Sequence, residues 1–374
     1  MDKKNEVIDI EQIKRSLFTL GLTENTILNK INKGKLNHIF RAIDKQSNKS
    51  VIVKSAGAVP ANIKTPLNTK IFLPKSRNFK EATVINYIWK NHNSFVPQIY
   101  LVNKEKNFFI MEDLIKFEDV RDLVLKGIIP KDFSNKILNM LFCIYDDYKV
   151  NPLMINNDLK QILINLLFEI PYSSKMILSN EAILDKNYFI KYLNDKFEII
   201  SENLNKLKMI MFEKKQTLLH ADLHLGSIFC QYNNYKLYDF EFSFEGALGY
   251  DIGKIQAHLI LAWFYLKFNN VKNISSLEHE LIIYIDKIFD EAVKRSIKDL
   301  TYESHMFCGL ELISRITGFL QLKYILGISN LSLRTKIQKC IFDIAVKFMT
   351  NKEFIKDGKD FIQKLNKLNF KNYE

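Results

Sequence analysis

Three carboxylates that could perform chemistry lie within twenty residues of one another, between positions 222 and 241. Asp222 stands in the pattern H-x-D-L-H, and Asp239 and Glu241 follow an apolar stretch, two residues apart. Phosphoryl transfer needs such a set. One carboxylate orients and deprotonates the attacking hydroxyl, and others hold Mg²⁺ against the phosphates. The residue types therefore favour a phosphotransferase.

The stretch between these acids predicts a β-hairpin. Residues 227–230 and 235–238 are short segments of apolar or aromatic character, and Asn233 and Asn234 between them predict the turn. Because a hairpin brings its two ends together, we expect Asp222 to lie near Asp239 and Glu241.

The joint pattern over residues 218–253 resembles one family. H-x-D-L-H-x-G-S-I followed by D-x-E-F-x-F-x-G-x-x-G-Y-D-I-G is similar to methylthioribose kinase, a branch of the aminoglycoside-phosphotransferase and choline-kinase group. Most of that group carries Asn where this chain has Ser227, and Asp239-Phe240-Glu241 is the metal motif that marks the methylthioribose branch. Ala221 replaces the usual Gly, which matters only if the position needs a positive φ.

The resemblance implies a protein-kinase-like α+β fold of two lobes. A small antiparallel sheet in residues 1–114 would bind the nucleotide, and a larger, mainly helical lobe in 115–374 would hold the catalytic hairpin and the acceptor. Residues 7–32 show helical apolar spacing and predict one or two short helices before the sheet.

A strand–turn–strand pattern around residues 45–49 places Lys54 at the end of the second strand. A lysine there by itself is usually a surface charge, but beside the acidic motif it matches the kinase lysine that contacts the phosphates. Glu81, near the start of a predicted helix at 79–92, is placed to pair with it. The family's G-x-L-N pattern matches residues 34–37 and implies that Asn37 faces the phosphates.

A second predicted hairpin ends at residues 111–114, Met-Glu-Asp-Leu. The resemblance implies that Glu112, Asp113 and Leu114 form the hinge that binds adenine through backbone groups, and we divide the lobes after Leu114. Residues 55–78 contain three prolines and little periodicity. They predict either a lid over the site or a surface excursion.

Helical apolar spacing recurs through the remainder of the chain. It predicts helices at 133–147, 159–168, 182–207, 252–268, 276–299, 303–326 and 331–351. Asp251 is a candidate N-cap for the fourth of these. Phe244, Tyr250, Trp263 and Phe264 are expected in the core.

Arg315 stands on an otherwise apolar segment, where a buried arginine needs a partner. The family carries two successive arginines here, and this chain has Ser314 in the place of the first. The resemblance implies that Arg315 contacts the sugar substrate. The missing arginine bears on which substrate is used more than on the chemistry.

Bulk composition limits the classes of function. The net charge is +12, but the lysines are spread along the whole chain, which is more typical of a biased composition than of a nucleic-acid interface. This background would attract ATP and repel a polycationic aminoglycoside. The chain shows no predicted membrane span or leader, and its four cysteines predict buried free thiols in a reducing, cytoplasmic setting.

These observations predict an ATP- and Mg²⁺-dependent kinase of methionine salvage that phosphorylates the 1-hydroxyl of 5-methylthioribose. Asp222 would be the base, and Asp239 and Glu241 would be the metal ligands. We expect neither a nucleic acid nor a membrane to be a partner. The resemblance also implies a homodimer. The alternatives are a kinase for 5-deoxyribose, choline or an aminoglycoside, and a pseudokinase that binds nucleotide without catalysis.

Overall fold

The computed structural model describes residues 9–31, 36–57, 72–150, 157–318 and 323–370. Gly34 of the predicted phosphate loop and residues 58–71 of the predicted lid lie outside this part of the chain. The prediction of a lid is therefore not addressed by the structure.

The N-terminal part is a five-stranded antiparallel sheet with a helix on each face. Its elements are α1 (Ile10–Thr19), β1 (Thr26–Ile31), β2 (Asn37–Asp44), β3 (Ser50–Ala56), α2 (Arg77–Asn91), β4 (Ile99–Asn103) and β5 (Phe108–Glu112). The strand order is β1-β2-β3-β5-β4. The predicted hairpins and the helix that carries Glu81 are confirmed.

The alternation of side chains along β3 decides which residues face α1 and which face α2. Val53 packs with Ile13 and Leu17 of α1 in a small apolar core. Because successive residues of a strand point to opposite faces, Lys54 projects to the other face, against α2. There it meets Glu81.

The C-terminal part is mainly helical. Its elements are β6 (Glu118–Asp119), α3 (Val120–Leu125), α4 (Phe133–Asp147), α5 (Asn157–Ile164), α6 (Ser174–Ser179), α7 (Lys186–Asp195), α8 (Phe197–Glu213), β7 (Thr217–Leu219), β8 (Ile228–Gln231), β9 (Asn234–Leu237), β10 (Phe244–Gly246), α9 (Gly249–Phe268), α10 (Ile274–Lys294), α11 (Leu300–Thr317), α12 (Lys323–Leu326), α13 (Leu331–Thr350) and α14 (Gly358–Asn366). The β8–β9 hairpin pairs with β6, and β7 pairs with β10. The predicted α+β class, with a small antiparallel sheet before a larger helical part, is confirmed.

Helices α9 and α11 pack closely and form the centre of this part. Nearly every residue of α9 is buried. A Cβ atom at Gly253 would lie 2.3 Å from the carbonyl oxygen of Ser304, so only glycine permits this approach. The close contact brings the polar residues of the two helices together, including Lys254 and Glu311.

Several local predictions differ from the structure. The segment 7–32 contains one helix, as predicted, but its second half forms strand β1, because Thr26–Ile31 pairs with β2 along its whole length. The hairpin turn consists of Tyr232 and Asn233, since Gln231 pairs with Asn234. The segment 182–207 is divided between α7 and α8, and α14 was not predicted.

Asp251 is not an N-cap. It lies inside the first turn of α9, which begins at Gly249 after Leu248. Its carboxylate accepts hydrogen bonds from the backbone N–H groups of His220 and Ala221 at 2.6 and 3.0 Å. The residue therefore fixes the loop that carries Asp222.

The four aromatic residues expected in the core, Phe244, Tyr250, Trp263 and Phe264, are all buried. Cys230, Cys308 and Cys340 are buried free thiols as predicted, whereas Cys143 is only half-buried. Among the described residues, we find no helix with the length and apolar character needed to cross a membrane.

Candidate active site

Lys54 is the centre of the acidic cluster between the two parts of the chain. Its Nζ atom lies 2.8 Å from a carboxylate oxygen of Glu81 and also contacts Asp239. The side chains of Lys54 and Glu81 are almost completely buried. A β3 lysine paired with a glutamate on the following helix is the arrangement by which protein kinases hold their phosphate-binding lysine.

Three carboxylates surround this single ammonium group, and their protonation behaviour differs. Burial raises the pKa of Glu81 to about 8, against the attraction of Lys54. Burial and the neighbouring Asp239 raise the pKa of Glu241. Burial alone would also raise the pKa of Asp239, but contact with Lys54 lowers it. Asp239 is therefore the carboxylate of the three whose charged form the neighbouring Lys54 favours most.

Arg77 is a member of this cluster that the sequence analysis missed. Its Nε donates to Glu241 at 2.8 Å, and another of its nitrogens donates to the Asn37 side chain at 3.0 Å. The same guanidinium donates to the carbonyl oxygens of Leu36, Gly57 and Pro74. Its position four residues before Glu81, at the start of a helix that faces acidic residues, was the available signal.

Asn37 lies at the start of β2, and its amide donates to Glu241 at 3.1 Å. The residue is buried and linked to both Arg77 and the acidic motif. Asn37 is therefore part of the acidic cluster, through hydrogen bonds to Glu241 and Arg77.

His220 connects the loop that carries Asp222 to the segment that precedes Asp239. The Nδ1 atom accepts the backbone N–H of Asp222 at 3.3 Å, and Nε2 lies 2.8 Å from the carbonyl oxygen of Tyr238. Since Nδ1 accepts, Nε2 must carry the proton that is donated to Tyr238. One imidazole thus ties the Asp222 loop to the residue directly before Asp239.

Ala221 has a φ of +67°, so the position does need the left-handed conformation that favours glycine. The departure from the family pattern is accommodated by the two hydrogen bonds to Asp251. Phe240 packs against the His220 ring with the ring centres 4.4 Å apart and is buried.

Asp222 lies where α9 and α11 meet the loop after β7. Its Oδ1 is 3.5 Å from Nζ of Lys254 and 3.8 Å from a guanidinium nitrogen of Arg315, while its Oδ2 is 4.0 Å from Nε2 of His224. About a third of the carboxyl side chain is exposed. Of the predicted substrate-side residues, the structure therefore brings Asp222 and Arg315 together.

Behind Asp222 lies a buried carboxylate, Glu311, which the sequence analysis also missed. It contacts Lys254 at 3.0 Å, Arg315 at 2.7 Å and His258 at 3.3 Å. Burial alone would raise its pKa, but the two cations hold the pKa of Glu311 well below its usual value. Burial lowers the pKa of His258 to about 4.

Ser227 does not face the acidic cluster. Its hydroxyl accepts the backbone N–H of His224 at 2.9 Å and donates to the His224 carbonyl oxygen at 2.8 Å. The residue closes the short turn after Asp222. It supports the loop and shows no contact to the metal motif.

The predicted hinge lies at the end of β5. Glu112 contacts Lys236 at 2.6 Å, Asp113 contacts Arg41 at 2.8 Å, and Leu114 is buried. Both acidic side chains are thus engaged by basic partners.

The described residues contain no cluster of three or more His, Cys, Asp or Glu side chains suited to a metal ion. Mg²⁺ in phosphotransferases is usually bound by one or two carboxylates, with phosphate and water oxygens completing its coordination. Asp239 and Glu241 supply two hard oxygen donors of this kind, with Lys54 and Arg77 as their present partners.

No protein-family model matches the chain. Several curated proteins, however, are similar to the chain over most of its length. The methylthioribose kinase of Exiguobacterium sibiricum is 28% identical over 332 residues, which is 80% of this chain and 82% of that protein. The enzymes of the same name from Bacillus velezensis and Bacillus pumilus are 26% and 25% identical, with 87% and 89% of each chain covered.

The chain is similar to the methylthioribose kinases. The resemblance inferred from the motifs is thereby confirmed over most of the chain's length. Among solved structures, a choline kinase from Cryptosporidium parvum aligns with a TM-score of 0.49 at 13% identity, covering 95% of this chain and 97% of that one. An ethanolamine kinase of Plasmodium vivax aligns with a TM-score of 0.48 at 16% identity, covering 88% and 85%.

Proposed function

We propose that this protein is an ATP-dependent sugar kinase that transfers the γ-phosphoryl group to the 1-hydroxyl of 5-methylthioribose. The observation that carries the proposal is the link through His220. His220 links the loop of Asp222 to the backbone of Tyr238, the residue before Asp239, and this link supports pairing the proposed base with the proposed phosphate-side cluster.

The nucleotide side would be built by the N-terminal lobe, up to Leu114. Backbone groups at Glu112, Asp113 and Leu114 would receive the adenine. Lys54, oriented by Glu81, would contact the phosphates, and Asn37 would lie beside them. Phe240 would keep the metal motif packed against the catalytic loop.

Mg²⁺, held by Asp239 and Glu241, would neutralise charge on the phosphates. Arg77 donates to Glu241, which restricts how that carboxylate can rotate. Positioning of this kind supplies much of the rate enhancement in phosphoryl transfer, because the protein performs little covalent chemistry itself.

Asp222 would accept the proton of the acceptor hydroxyl and direct its oxygen at the γ-phosphorus. Arg315 and Lys254 lie beside Oδ1, so Oδ2 is the oxygen that would face the acceptor. Arg315 would also donate to the sugar. The new bond joins the acceptor oxygen to phosphorus, the bond to the β-phosphate oxygen breaks, and ADP leaves.

The acceptor is assigned from the relatives' names together with the charge of the site. Two cations next to Asp222 disfavour a cationic amino alcohol or an aminoglycoside, which would need surplus negative charge. A neutral sugar meets no such penalty.

The test is ATP consumption by purified protein with Mg²⁺ and 5-methylthioribose, 5-deoxyribose, ribose, choline or kanamycin. We expect turnover with methylthioribose that Asp222→Asn abolishes, whereas the exposed control Asp195→Asn leaves it unchanged. Turnover only with another acceptor would reject the named sugar. Tight ATP binding without any turnover would favour a pseudokinase. Analytical ultracentrifugation of the same sample tests the expected homodimer.

A further inference from the structure

Lys254 is a charged residue in a largely apolar stretch of α9. It is 1% exposed and lies one turn into α9, where nearly all neighbouring residues are buried. Between positions 252 and 266 it is the only Asp, Glu, Lys or Arg. Burying an ammonium group costs several kcal/mol unless partners compensate, so its position requires an explanation.

The compensation comes from two carboxylates. The Nζ atom of Lys254 lies 3.0 Å from Glu311 on α11 and 3.5 Å from Oδ1 of Asp222. Glu311 is also bound by Arg315, which lies 3.8 Å from the same oxygen of Asp222. Lys254 and Arg315 therefore form a pair of cations between a buried carboxylate and the proposed base.

This pair bears on the departure at Ser314. Where related kinases carry two successive arginines on one helix, this chain has a single arginine, and its second cation comes from a different helix. A lysine has three N–H donors. Nζ of Lys254 lies near Glu311 and Asp222 and also 5.6 Å from the centre of the Tyr250 ring, so it acts on the acceptor site through its hold on Asp222.

We propose that Lys254 is a specificity-determining residue of the acceptor site. It holds Oδ1 of Asp222 and, together with Arg315, makes the site one for the oxygen atoms of a neutral sugar. This inference rests on the proposed function and deepens it. It predicts that removing the Lys254 charge impairs acceptor use and leaves nucleotide binding intact.

The experiment compares Lys254→Met with Lys254→Arg. We expect the methionine variant to raise the KM for methylthioribose at least about ten-fold, since it removes a charged donor and an ion pair to the base. The KM for ATP should change less than about two-fold because Lys54 and the hinge are untouched. The arginine variant should recover most of the loss.

A buried lysine elsewhere supplies the control. Lys339, on α13, is 8% exposed, and its Nζ atom lies 2.9 Å from a carboxylate oxygen of Asp185. Lys339→Met should lower the melting temperature without changing either KM. If Lys254→Met is too unstable to assay, the double variant Lys254→Met/Glu311→Gln removes both charges of the buried pair, and the glutamine keeps an oxygen that can accept from Arg315.

The outcomes separate the two proposals. Wild-type turnover with methylthioribose and an unchanged acceptor KM in Lys254→Met would overturn the role of Lys254 alone. Equal increases in the KM for ATP and for the sugar would indicate general disruption and would also overturn it. If the wild-type protein neither turns over nor binds any neutral sugar by calorimetry, the proposed function fails, and the role of Lys254 fails with it.

Discussion

The guanidinium of Arg77 lies 2.8 Å from the carboxylate of Glu241, although 164 residues separate them in the chain. Arg77 is completely buried, and Glu241 is nearly so. The same guanidinium donates to the carbonyl oxygens of Leu36 and Gly57, which belong to the predicted phosphate loop and the predicted lid. A single side chain thus connects Glu241 to the backbone at both positions.

Replacing Arg77 with Met should destabilise the protein by about 3–5 kcal/mol, because the change leaves a buried carboxylate without its cation. Chemical denaturation of the variant measures this loss. Arg15→Met, an exposed residue on α1, is the control and should cost less than about 1 kcal/mol. Equal effects of the two substitutions would contradict the importance of the buried pair.

Glu81→Gln should lower kcat/KM for ATP by about 10²-fold, since a misplaced Lys54 no longer meets the phosphates in the correct geometry. Gln keeps the shape of the side chain but replaces one of the two oxygens that lie 2.8 Å from Lys54 Nζ with an N–H donor. The exposed residue Glu213 supplies the control Glu213→Gln. A Glu81→Gln enzyme with wild-type kcat/KM for ATP would exclude an orienting role.

Ala221→Gly should be less destabilising than Ala262→Gly by roughly 1–2 kcal/mol, because only the first relieves a left-handed alanine. Both alanines are completely buried, and both substitutions remove one methyl group. Ala221 has a φ of +67°, whereas Ala262 lies inside α9. Denaturant unfolding of the two variants measures the difference, and equal losses would count against strain at Ala221.

The stability of the protein should depend on the protonation of His305 below pH 6.5. Burial lowers the pKa of His305 to about 3. The unfolded chain therefore binds a proton below about pH 6.5 that the folded protein does not, so this contribution is present above pH 6.5 and lost as the pH falls. Between pH 6.5 and pH 5 the loss is about 2 kcal/mol.

Measuring the free energy of unfolding at pH 6.5 and at pH 5 tests this prediction for His305. His305→Gln should reduce the decrease by about that amount, whereas His279→Gln, at an exposed position of α10, should leave it unchanged. A wild-type slope in His305→Gln would show that other groups cause the pH dependence.

Much of the architecture and the acidic motif could be predicted from the sequence. Period-two and helical spacing predicted both N-terminal hairpins and most of the helices, because local backbone preference and the side to be buried are both encoded in nearby residues. The sequence also allowed the three acidic residues of the motif to be identified, because a short hairpin joins Asp222 to Asp239 and Glu241. The boundary between α7 and α8 and the hairpin turn were misplaced because the turn chemistry there is weak.

The capping prediction for Asp251 failed for an instructive reason. An aspartate before a helical pattern is typical of an N-cap, and no local feature distinguishes it from one that binds another loop. The structure places two backbone N–H groups, of His220 and Ala221, within reach of its carboxylate. A tertiary contact took precedence over the local preference.

The sequence by itself determined the α+β class and the carboxylates of the motif, because each is set by residues close together in the chain. Only the tertiary structure shows that Arg77 pairs with Glu241. It also shows that Lys254 pairs with Glu311 next to Asp222. Those partners are separated by 164 and 57 residues. Burial of a charge is a property of the packed interior, so its partner is known only once the helices and the sheet have come together.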